Sequence, residues 1–151
     1  MKIYTVPFSA ITMTNDADQD IWILGSGSSK PLIVHEWEVT SNMTTAEALT
    51  LRLMRRTTAG SGGTAQTIVP LDPGNTVSSG ATLSTLATTP GTAGDIIKGF
   101  QWQQAGQPVG KLYTPETRIL MVVSTYLALH LGTAVAASRT VSGYVTFEAL
   151  G

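Results

Sequence analysis

The chain contains no cysteine, and only two of its 151 residues are histidines. The absence of cysteine excludes disulfide bonds, thiolate metal sites and thiol catalysis. Charged residues make up only 13 % of the chain, about half the usual share in a soluble domain. Because the net charge is −1, the chain has no overall electrostatic attraction for nucleic acid or for an anionic membrane.

Long apolar runs are missing as well. The sequence has no stretch of about eighteen apolar residues, so we expect no membrane-spanning segment. The residues after Met1 contain no continuous apolar core of the kind found in a secretory signal, and we expect the protein to be made in a cytoplasm. The length predicts one domain, residues 1–151.

Short strand-like runs separated by glycine and proline turns fill the sequence. We count eight to ten such strands and little helix, which predicts an all-β fold, an antiparallel β-sandwich of jelly-roll type. The middle segment, residues 76–94, is rich in threonine, serine and glycine. We expect it to form a surface loop that carries a short strand or one helical turn.

The stretch "PLIVHEWEVT", residues 31–40, raises the first question of chemistry because it places His35 beside Glu36 and Glu38. In a strand, side chains alternate between the two faces. His35 is therefore expected on the same face as Trp37, and the two glutamates on the opposite face. Glu36 and Glu38 would lie about 7 Å apart, but no second cluster supplies the cleft that paired-carboxylate catalysis requires. We interpret the stretch as structural.

The following stretch, "LTLRLMRR", predicts a strand with three leucines on one face and Arg52 on the other. If this strand pairs with the preceding one, Arg52 lies near Glu36, and the charges of opposite sign stabilise the pair. Such an ionic patch is either solvated or in contact with another subunit. At the strand end, Arg55 and Arg56 could bind an acidic neighbour. The predicted interaction surface therefore comprises Glu36, Glu38, Arg52, Arg55 and Arg56.

Metal binding has weak support in the sequence. A cupin-type site needs two histidines separated by one residue, whereas the residue two positions after His35 is a tryptophan. The loop "NDADQD" spaces Asp16, Asp18 and Asp20 like calcium ligands but lacks the glycine and glutamate of an EF-hand loop. Serine nucleophile motifs are also missing. We predict no catalytic residues, no cofactor and no metal.

Aromatic residues leave two interpretations open. In "KGFQWQQ", Phe100, Trp102 and Gln104 share one face of a predicted strand. If exposed, these side chains could stack on a sugar ring; if buried, they are core aromatics. We favour the core.

The sequence resembles the jelly-roll capsid decoration (cement) proteins of tailed bacteriophages. The resemblance lies in the size, the absence of cysteine, the low charge and three stretches: "LRLMRRTTAGSGGTAQTIVPLDPGN", "KGFQWQQ" and "PETRILMVVSTYLALHLGTAVAASRTVSGYVTFEALG". It implies a non-enzymatic virion structural protein that binds the major capsid protein on the capsid exterior as a homotrimer. It also implies no direct contact with nucleic acid or membrane. No individual residue role is carried over from this family.

Two alternatives remain. One is a carbohydrate- or receptor-binding jelly-roll module of a phage head or tail fibre, in which Trp22, Phe100 and Trp102 would line a surface groove. The other is a cupin-like metal enzyme, which would require a bound metal ion.

Overall fold

A computed structural model of the chain describes residues 2–14, 19–87, 89–103, 105, 107–132 and 135–151. These residues form twelve β-strands and no helix, and thus no helix that could cross a membrane. The strands are β1 (Ile3–Met13), β2 (Gln19–Gly25), β3 (Leu32–Ser41), β4 (Ala48–Arg56), β5 (Thr64–Ala65), β6 (Val69–Pro70), β7 (Thr82–Thr85), β8 (Ala93–Gln103), β9 (Val109–Leu112), β10 (Ile119–Met121), β11 (Tyr126–Leu131) and β12 (Arg139–Ala149).

The strands form two antiparallel sheets. Sheet A has the order β10-β3-β12-β1-β6, and β9 also pairs with β3 beyond the end of β10. Sheet B has the order β5-β7-β2-β11-β4-β8. The long strands are the central ones, with the exception of β8, which is eleven residues long and lies at an edge.

The core lies between the two sheets and follows the period-two alternation of the strands. The three leucines of β4 and the three of β11 all point inward and are buried. Trp22 of β2 meets Trp37 of β3 edge to face across the core, with ring centroids 6.1 Å apart. Tyr4 of β1 stacks on Phe147 of β12. The tryptophan contact joins sheet A to sheet B across the core, whereas the contact between Tyr4 and Phe147 lies within sheet A.

The predicted all-β antiparallel sandwich is confirmed. The structure divides the chain more finely than the sequence indicates, because the strand-like run at residues 64–71 contains two two-residue strands, β5 and β6, which belong to different sheets. The jelly-roll type and the single-domain assignment stay predictions.

The threonine-rich segment 76–94 contains a short strand, as the sequence indicates. This strand, β7, pairs with β2 through four residues. Thr88 lies outside the described residues. Within this segment, β7 and the first residues of β8 therefore belong to sheet B.

Candidate functional site

The five residues of the predicted interaction surface do not form one patch. Glu36 and Glu38 lie on β3 in sheet A, whereas the three arginines lie on β4 in sheet B. The ladder neighbours of Glu36 are residues of β12 and β9, and those of Arg52 are residues of β11 and β8. The predicted pairing of Arg52 with Glu36 is wrong because residues 42–47 connect the two sheets and do not form a hairpin.

A bulge in β3 changes the predicted position of His35. Thr146 of β12 pairs with Glu36, and the next residue, Phe147, pairs with Val34, so that His35 is the extra residue. A bulge of this kind shifts the alternation of side chains by one position. His35 and Glu36 therefore both point to the outer face of sheet A, and the prediction that His35 shares the face of Trp37 is wrong.

The outer face of sheet A is acidic. It carries Glu36, Glu38 and Glu148, and its described strand residues include no lysine or arginine. His35 Nε2 lies 3.3 Å from a carboxylate oxygen of Glu148. Burial raises the pKa of Tyr144, and the charges of Glu36 and Glu38 raise it further. Glu36 and Glu38 thus lie close to the hydroxyl group of Tyr144 and not to the predicted arginines.

A buried ionic cluster lies on the other side of the molecule, on the outer face of sheet B. Asp20 of β2 accepts two hydrogen bonds from the Arg56 guanidinium, at 3.1 and 2.6 Å. His130 Nδ1 lies 2.9 Å from the same carboxylate and 3.0 Å from Arg56 Nη2. Asp20 is fully buried. Its hydrogen bonds with Arg56 therefore replace the contacts with water that both charged groups lose on burial. The predicted acidic neighbour of Arg56 is therefore Asp20 of the same chain.

Two segments, which we call the flap, cover this cluster. They are residues 57–63 and 89–92, and a β-bridge between Ser61 and Thr89 joins them. Arg56 Nη1 donates a hydrogen bond of 3.0 Å to the carbonyl oxygen of Gly91, which holds the flap to sheet B. The sequence shows the arginine and the glycine-rich loop, but no signal in it links them to Asp20.

The other two arginines have different surroundings. Arg52 is exposed on the outer face of sheet B, where His130 and Gly99 are its ladder neighbours. Arg55 points toward the gap between the sheets and donates a hydrogen bond to the carbonyl oxygen of Leu120. Of the three arginines, Arg52 is thus the one available at an outer face.

The aromatic residues that a sugar-binding groove would need are not at the surface. Trp22 and Trp102 are buried, and Trp102 donates a hydrogen bond to the carbonyl oxygen of Gln107. Phe100 packs edge to face on Trp37. The core interpretation of Phe100 and Trp102 is confirmed, and Gln104 lies outside the described residues.

The two histidines cannot share a metal ion. His35 lies on the outer face of sheet A and His130 on the outer face of sheet B, with the core between them. Asp16 and Asp18 of the calcium-like loop lie outside the described residues, and Asp20 is bound to Arg56. Within the described ranges, no group of three histidine or carboxylate side chains is placed to hold a metal ion.

The geometry therefore offers two outer faces of different character. Sheet A presents carboxylates and a tyrosine, and sheet B presents an exposed arginine beside a buried ionic cluster under the flap. Both arrangements are suited to binding. Comparisons with known proteins add no relative: no protein-family model, no curated protein and no solved structure matches the chain.

Proposed function

We propose that this chain is a non-enzymatic virion structural protein, a capsid decoration or cement protein. In this proposal it binds the major capsid protein on the capsid exterior as a homotrimer and stabilises the shell. The observation that carries the proposal is the position of the exposed large hydrophobic side chains. A soluble monomer seldom groups such side chains without a partner that covers them.

These side chains lie at the two lateral sides of the sandwich. The first side is formed by β8, β9, β10 and the loop after β10. The second is formed by β6 and the loop that follows it. In the described residues, the large exposed hydrophobics of the first side are Leu112, Leu120, Val122 and Val123, and those of the second are Val69, Leu71 and Val77; Ile96 of β8 points instead to the outer face of sheet B.

Two different contact surfaces on one chain are what a ring requires. In a cyclic trimer, one surface of each subunit meets a different surface of the next. The first and second lateral sides are separated by the full width of sheet A. Their contact would bury apolar area at the edge strands of both sides and leave the central strands of each outer face accessible.

The order of the ladders supports the jelly-roll part of the proposal. The antiparallel pairs β1–β12, β2–β11, β3–β10 and β4–β8 follow one another in this order along one long hairpin, from its open end to its closed end. The additional pairs β12–β3 and β11–β4 form when this hairpin wraps around the core. A jelly roll is an eight-stranded, two-sheet fold of this kind.

Trimeric assembly also explains how weak contacts can hold a shell. A trimer that touches several copies of the capsid protein sums modest affinities through a high effective concentration. The charge-poor surface fits this role, since few ionic contacts have to be desolvated.

Native mass spectrometry of the purified protein at micromolar concentration tests the assembly. We expect a species with three times the chain mass of 15.9 kDa. A stable species of one chain mass across this concentration range would contradict the proposal.

A further inference from the structure

A cleft of about 540 Å³ opens on the outer face of sheet B beside the flap. Its floor is formed by side chains of β4 and β11, one wall by the start of β8 and the other by the flap. The lining residues are Arg52, Met54, Arg56, Thr89, Pro90, Gly91, Ala93, Gly94, Ile96 and His130.

The cleft is cationic on an otherwise charge-poor chain. Its lining contains two arginines and a histidine but no carboxylate. Asp20 is fully buried and neutralises Arg56, so the net positive charge of the cleft is that of Arg52. Anions are therefore attracted to this cleft, and its partly enclosed shape strengthens the attraction.

Arg52 is the cation available to a ligand. It is exposed, and its side chain forms no hydrogen bond or ion pair with any other residue that the structure describes. Its guanidinium carbon lies 3.5 Å from the position that a β-carbon on Gly132 would occupy, so this glycine leaves room for the arginine. A planar guanidinium binds a carboxylate through two parallel hydrogen bonds.

One side of the cleft is apolar, at the wall formed by the start of β8 and the adjoining floor. Met54 and Ile96 are ladder neighbours on the outer face, and Ile96 is 55 % exposed. A ligand that contacts both Arg52 and this wall needs an anionic end and a short aliphatic part. From this combination we propose that the cleft binds a carboxylate carried on a short aliphatic arm.

The site is organised before a ligand arrives. Arg56 is fixed by Asp20 and by the Gly91 carbonyl, so the flap wall is held in place. His130 is held by the same carboxylate. A preformed site loses less conformational entropy on binding than a mobile one. This inference does not depend on the proposed virion role, and either could fail without the other.

Titration of the ¹⁵N-labelled protein with glutarate, followed by NMR at low salt, tests the inference. We expect saturable shifts of amides around the cleft, including those of residues 89–94. The Arg52→Gln variant should bind glutarate about tenfold more weakly. Lys111→Gln, which removes one exposed positive charge at the first lateral side, should change the affinity less than twofold.

Three results would overturn the proposal: no saturation at tens of millimolar glutarate, equal shifts with the neutral analogue glutaramide, or equal affinity of Arg52→Gln. Inorganic phosphate that binds as tightly as glutarate would also overturn it, because the site would then select charge alone. A second titration asks whether the natural ligand is a protein side chain or a free small molecule. It uses a blocked peptide with one glutamate and, as a control, the same peptide with glutamine. Tighter binding than glutarate supports an acidic side chain of a partner protein, and weaker binding supports a free small carboxylate.

Discussion

At the residue scale, the contact between Asp20 and Arg56 links the start of β2 to the end of β4. Burial of two charges costs much of the energy that their attraction supplies, so an intact buried pair stabilises the fold only modestly. Removal of one partner is different because the other charge stays buried without compensation. The function of this pair is therefore to fix the positions of two strands and the flap.

Asp20→Asn is expected to lower the free energy of unfolding by about 3–5 kcal/mol, and the melting temperature by about 10 °C. The reason is that Arg56 keeps its charge in a buried site. Thermal and urea denaturation measure the effect. The control is Asp95→Asn, an exposed aspartate for which we expect a change within about 0.5 kcal/mol. A loss below about 1 kcal/mol for Asp20→Asn would contradict a buried, uncompensated Arg56.

Tyr144 provides a second prediction at this scale. Its pKa is raised by burial first, and then by the charges of Glu36 and Glu38 and a hydrogen bond to Glu36. Because the pKa is higher in the folded protein than in the unfolded one, stability decreases as the pH rises above the ordinary value of 10.0. NMR titration of the ring carbons should show a lower pKa in the Glu36→Gln/Glu38→Gln variant. An unchanged pKa would place the glutamates away from the phenol.

At the scale of the strand, the close approach of β12 to β3 is tested at Gly143. A β-carbon at this position would overlap the carbonyl oxygen of Glu38 and lie 3.0 Å from the Phe8 ring. Gly143→Ala should therefore destabilise the protein by about 1–3 kcal/mol. Gly99 of β8 has open space around it, and Gly99→Ala should be neutral or stabilising by up to about 1 kcal/mol. Equal effects of the two variants in denaturant titrations would contradict the packing described.

The alternation of β4, β11 and β12 could be predicted from the sequence, because the leucines of β4 and β11 and the large apolar residues Val141, Val145 and Phe147 of β12 recur at every second position. The leucines of β4 point inward, and His130 points outward, as the pattern indicates. Which residues of β3 point inward on either side of His35 could not be predicted, since the bulge at His35 depends on the register with β12. Nor could the partner of Arg56, because Asp20 is distant in the sequence and both charges fit a solvated loop equally well.

At the scale of the whole molecule, the long edge strand β8 carries features that oppose strand addition. Lys98 lies opposite the inward-pointing Leu53, and two register shifts interrupt the ladder with β4. Inward-pointing charges and bulges are the devices by which edge strands avoid pairing with other chains. We therefore expect the lateral contacts between subunits to be made by side chains.

Replacement of the exposed leucines on the first lateral side should disrupt the trimer. Leu112 is 71 % exposed and Leu120 is 51 % exposed, so glutamate at both positions should leave the fold intact while placing charge in an apolar contact. Sedimentation velocity should show a shift from trimer toward monomer. Ser9→Glu, an exposed position on the outer face of sheet A, is the control and should remain trimeric. A double variant that sediments as the unaltered protein does would place the contact elsewhere.

The most direct test of a decoration role is electron cryo-microscopy of expanded capsids of the cognate phage that lack this protein, before and after its addition. We predict new three-lobed density on the outer surface at threefold or quasi-threefold positions, absent from immature capsids treated in the same way. Expanded capsids that gain no ordered density at saturating protein would contradict the account.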